Sequence, residues 1–87
     1  MQIITSKIVA EKLSAYLHHE LGLDELVDWA ENIMMEGNFE EENYKTLREI
    51  VSRLGVADVK AFGLTWEDCE RFLNQLGYEV RVEVVAY

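Results

Sequence analysis

The chain has 87 residues, 49% of them apolar, with one cysteine, no proline and a net charge of −9. That length sets a single domain with a modest buried fraction, and the apolar share argues for a packed core over disorder. No apolar run approaches the roughly 18 residues of a membrane span, and eight scattered basic residues do not build the cationic patch that nucleic-acid binding needs.

The N-terminus lacks a basic start and an apolar h-region, so no secretion signal is expected. A lone cysteine, Cys69, allows no internal disulfide and fits a reducing, cytoplasmic setting. Residues 2–5 read as a short strand. Thr5 and Ser6 are both good N-caps, and a helix is expected from there to about Leu21, with Val9, Leu13, Tyr16 and Leu17 on one face and Gly22 as its stop. A second helix follows, capped by Asp24 and ended by Gly37. Leu23, Leu26, Val27, Ala30, Ile33 and Met34 form its apolar arc, Trp29 stands at the arc's edge, and Asp24, Asp28 and Glu31 lie on the far side.

The third helix is expected over Glu40 to Leu54, with Tyr44, Leu47, Ile50, Val51 and Leu54 facing inward and Gly55 closing it. Val56 to Leu64 reads as one helical turn and a bend at Gly63. Thr65 and Asp68 then form a capping-box-like start, and a fourth helix runs to Leu76 before Gly77, with Trp66, Cys69, Phe72, Leu73 and Leu76 buried. From Tyr78 to Val84, apolar residues alternate with Glu79, Arg81 and Glu83, the period of a strand. The expected fold is mainly α: a small bundle of four main helices and a short helical turn, closed by a C-terminal β-strand. A buried strand needs a partner for its backbone groups. Residues 2–5, a second chain, or a different protein adding a strand at this edge would each supply one.

Catalytic, cofactor and metal sites find little footing. His18 and His19 are adjacent, so on a helix they point about 100° apart, and neither has a His, Cys, Asp or Glu three or four residues away. A solvated helix end accounts for both. Glu20 projects toward the apolar face of the first helix, unless the helix frays there and frees it to water. Cys69 sits on a buried face between Asp68 and Glu70, the opposite of an activated thiol's setting. The five glycines stand singly at element ends, leaving no phosphate loop, and no catalytic triad or calcium-loop signature is present. The expectation is a non-enzymatic protein without a cofactor.

The charge is unevenly placed. Residues 1–19 carry a net +1 and residues 43–87 a net −1, whereas residues 20–42 hold nine acids and no base. Acids in first turns suit the helix dipole, but Asp28, Glu31 and Glu36 lie mid-helix or at a C-terminal end, where it opposes them. Acidic faces also keep small proteins in solution. The functional expectation is an acidic face that docks on a basic protein partner, formed by Asp24, Asp28 and Glu31, with Trp29 and Met35 as apolar anchors. In overall character this is similar to immunity proteins and antitoxins that neutralise basic nucleases, although no motif carries the likeness. The alternative is a structural module that forms a homodimer through Val80, Val82 and Val84. Neither expectation involves nucleic acid or a membrane.

Overall fold

The computed structural model describes residues 3–59 and 63–81. Four helices make up most of it: α1 (Ser6–Leu17), α2 (Leu23–Glu36), α3 (Tyr44–Leu54) and α4 (Trp66–Gln75). Their inward faces meet in one core, where Val9 and Leu13 of α1, Leu26 and Ala30 of α2, Leu47 and Ile50 of α3 and Cys69 of α4 are all fully buried. No described helix is long and apolar enough to cross a membrane.

α1 begins as expected, with the Thr5 hydroxyl accepting the Ile8 N–H at 3.2 Å. It ends four residues before Leu21. His19 N–H bonds to the Tyr16 carbonyl and Glu20 N–H to the Ala15 carbonyl, around a left-handed His19 at φ +62°. This is a Schellman closure with histidine in the position usually held by glycine. A non-glycine residue there costs about 1 kcal/mol or more, and the reason it is met here is geometric. α2 starts at Leu23, so a helix running to Leu21 would leave no chain with which to turn back.

Gly22, not Asp24, is the N-cap of α2, and no side chain caps it. Asp24 and Glu25 occupy its first turn instead. Gly37 ends the helix at φ +69°, as expected. α2 and α3 run antiparallel: Met34 Sδ lies 3.6 Å from Ser52 Oγ, while nearer the connecting loop Phe39 and Tyr44 meet edge to face at 5.9 Å.

α3 starts at Tyr44 rather than Glu40, because the preceding residues are already committed. Ile4 and Phe39 form an isolated parallel bridge, with Ile4 N–H donating to the Asn38 carbonyl at 2.7 Å and Glu40 N–H to the Ile4 carbonyl at 3.0 Å. Ile4 and Phe39 are both buried beside the helical core. Phe39 takes the inward place expected of Tyr44, which is 42% exposed. The N-terminal segment therefore pairs with the α2–α3 connection, and among the described residues it makes no pairing with the segment after α4, one of the three partners considered for a C-terminal strand.

After α3, residues 55–58 make a turn, with Ala57 buried beneath it, and Gly63 takes a left-handed φ of +61°. α4 opens on a complete capping box: Asp68 N–H donates to Thr65 Oγ1 and Thr65 N–H to Asp68 Oδ2, each at 3.1 Å. Trp66, expected inside, is 43% exposed, since at the first helical position it lies beyond the packed turn. The helix closes on Gly77 at φ +92°, with Tyr78 N–H bonded to the Leu73 carbonyl. Residues 78–81 form no strand, although Val80 packs half-buried against the core. Val82 and Val84 lie outside the described residues.

Candidate functional interface

α2 carries the outer face. At 100° per residue, Asp24, Asp28, Glu31 and Met35 fall within about 60° of one another, and all four are exposed, Met35 at 85%. The stripe points away from Leu26, Ala30 and Ile33, which bury the opposite side. Trp29 does not join it. Its ring is partly buried against the core, and Lys12 of α1 places its Nζ 5.6 Å from the ring centroid. A cation over a tryptophan face is a favourable contact, so Trp29 serves the α1–α2 packing.

Among the described residues, no ion pair reaches Asp24, Asp28 or Glu31. Like charges three and four apart on a helix each cost a few tenths of a kcal/mol, and no described ion pair offsets that cost. The described ion pairs lie elsewhere: Arg53 and Arg71 flank Asp68 at 3.6 and 3.2 Å, and Arg81 faces Glu79 at 3.5 Å.

Glu40 is the acid with a different role. Its carboxylate accepts the Ser6 N–H and the Ser6 hydroxyl, both at 2.9 Å, and the Asn43 side-chain amide at 3.2 Å. The Ser6 N–H, the Asn43 amide and the Ser6 hydroxyl hold its carboxyl below the usual glutamate range, against a smaller opposing effect of burial. The first turn of α1 has no acid of its own, and Glu40 supplies one from 34 residues away. No local pattern signals this contact, because the motif is split between two distant segments.

The other candidate groups are placed as follows. His18 and His19 are both exposed. His18 Nδ1 stands 2.8 Å from the Ser14 carbonyl oxygen and 3.3 Å from Ser14 Oγ. A carbonyl accepts only, so Nδ1 carries the proton and cannot take one from Ser14. That geometry does not make a nucleophile–base pair. Glu20, beyond the end of α1, is exposed to water. Burial, then the Asp68 charge, push the Cys69 thiol up to about 11, so at neutral pH it is not a thiolate. Asp68 is held below the usual aspartate range first by the Thr65 N–H and further by the Thr65 hydroxyl, Arg53 and Arg71. No three described His, Cys, Asp or Glu side chains are grouped to hold a metal ion.

A groove of about 900 Å³ runs between α1 and the segment that follows α4. Ala10, Ser14 and Leu17 form one wall and Leu73, Tyr78 and Val80 the other. Periodicity did not announce it, since its second wall depends on how the chain leaves α4. Comparison of the chain with protein-family models, curated proteins and solved structures gave no match.

Proposed function

We propose that this chain is a non-enzymatic binding module that docks the outer face of α2 on a basic protein partner. The observation that carries this is the Asp24–Asp28–Glu31 stripe: three exposed carboxylates along one helix face, without a described ion pair among them and with the exposed Met35 continuing the line. A surface that keeps like charges adjacent gives up a little stability. It gains a field that speeds encounter with a positive patch and orients it. Met35 supplies the apolar contact, with the partly buried Trp29 on an adjoining side of the helix. Inhibition of a basic nuclease in a reducing cytoplasm is the type of task this charge suits. The test is capture from the native host at low and high salt, with wild type and with Asp28→Lys/Glu31→Lys. A basic protein retained by wild type at low salt, released by salt and lost with the double reversal is the expected result. Equal retention by the double reversal would sink the proposal.

A second reading has its own support. Val80 packs on the core while Glu79 and Arg81 face out, the alternation of an extended segment. Self-association through this segment, with Val82 and Val84 continuing its apolar side in the sequence, would make the chain a homodimer. Its size in solution tests this directly.

A further inference from the structure

The geometry points to an antiparallel, two-fold pairing of Glu79–Val80–Arg81 with the same segment of a second copy, centred on Val80, so that Glu79 of each copy faces Arg81 of the other. This rests on the self-association reading and adds its register and its charge logic.

The segment leaves α4 with one backbone bond spent, Tyr78 N–H to the Leu73 carbonyl. Beyond it, no backbone hydrogen bond among the described residues engages Glu79, Val80 or Arg81. The Glu79 and Arg81 side chains lie on the same side, 3.5 Å apart and 76% and 82% exposed. Val80, between them, packs toward the core. Residues two apart on one side, with the intervening one opposite, are in the arrangement of a strand edge. So exposed a pair contributes little to the monomer, and both charges remain available to a new partner.

An acid, an apolar residue and a base in a row are self-complementary under a two-fold axis through the middle residue. An antiparallel pair centred on Val80 sets Glu79 opposite Arg81 twice, and cross-strand opposite charges are favourable. Centring the axis on Glu79 or on Arg81 instead opposes like charges at the axis. A slip of a single residue in the pairing sets charged residues opposite apolar ones and turns Val80 away from the core. Three paired residues alone are too few to hold two chains together. Glu79, Val80 and Arg81 line the groove beside α1, however, so a segment paired there would also meet Ala10 and Leu17, and the two-fold axis would repeat that contact in the second copy. Tyr78 and Trp66, each 43% exposed, line that groove and gain cover.

Salt separates this contact from docking of the acidic face. Two chains of net charge −9 repel at long range, so added salt helps them meet, whereas it weakens the acidic face's hold on a basic protein.

The test is sedimentation of the full chain at about 100 µM, where a complex of micromolar Kd is well populated. Wild type is expected to dimerise. Glu79→Arg and Arg81→Glu should each weaken self-association about ten-fold, because one substitution makes both cross-strand pairs repulsive. A mixture of the two variants should pair again, since each then presents two like charges to two opposite ones. Glu79→Arg also lowers the net negative charge by two, which would favour association if overall charge alone governed it. A wild type that stays monomeric overturns both the register and the self-association reading. A dimer indifferent to either reversal overturns the register alone.

Discussion

Two parts of the molecule spend the same residue type in opposite ways. Where Ile4 and Ser6 meet Phe39 and Glu40, a carboxylate is engaged by the fold: its Oε1 accepts three hydrogen bonds and ties the start of α1 to the connection before α3. On the outer face of α2, Asp24, Asp28 and Glu31 reach no described partner. Both sets come from one run of nine acids without a base. Charge along the chain therefore does not reveal a residue's role. The backbone donors that the fold brings to it do.

The junction should break first. Phe39→Ala removes a buried ring between the N-terminal segment and the helical core, and about 3 kcal/mol of stability should go with it. Met35→Ala, at 85% exposure on the outer face, should stay within about 0.5 kcal/mol of wild type. Paired urea titrations check both. If the two variants lost equal stability, the contrast between the regions would collapse.

Glu40→Gln probes the junction's charge. It should lower Tm at neutral pH, because a neutral amide is a weaker acceptor for the Ser6 donors. The pH dependence has a definite sign. The folded carboxyl lies below its ordinary 4.5. Its stabilisation is thus complete above that value and is lost as pH falls through the folded one. Melts of wild type and Glu40→Gln should converge on acidification. A gap that persisted unchanged at low pH would mean that the carboxylate charge is not what the site uses.

The smallest effect belongs to the outer face. Asp28→Asn removes one member of two like-charge pairs, Asp24–Asp28 and Asp28–Glu31, and should raise stability by a few tenths of a kcal/mol at low salt. The gain should shrink as salt screens the wild-type repulsion. Loss of stability in Asp28→Asn would mean that the carboxylate has an internal role.

Helix existence was legible because apolar residues recur at helical spacing. Gly37 and the Thr65–Asp68 box were legible because each is a local device. The end of α1 was not: glycine at 22 outranks histidine at 19 on propensity, yet the turn into α2 requires the left-handed residue at His19. The start of α3 was misread because Glu40, Glu41 and Glu42 resemble an acidic first turn, while Glu40 is drawn away by Ser6. Tyr44, expected inward, is left partly exposed for the same reason, and Phe39 is buried instead. The acidic stripe could be placed on α2's outer side from spacing alone. That Trp29 sits under Lys12 could not, since the contact joins two helices. Alternation after Tyr78 suggested a strand, but a strand requires a partner, and residues 78–81 form none in the described structure.

By itself, then, the amino-acid sequence determined the helical faces, several caps and the concentration of charge in one segment. These follow from periodicity and from bonds closed within a few residues. Tertiary structure decided where helices stop, which aromatic is buried and which acid is bound. The end of α1 follows from the early start of α2, whereas the start of α3, the burial of Phe39 and the binding of Glu40 depend on donors or apolar surface brought from more than 30 residues away, as when Ile4 meets Phe39 and Ser6 meets Glu40.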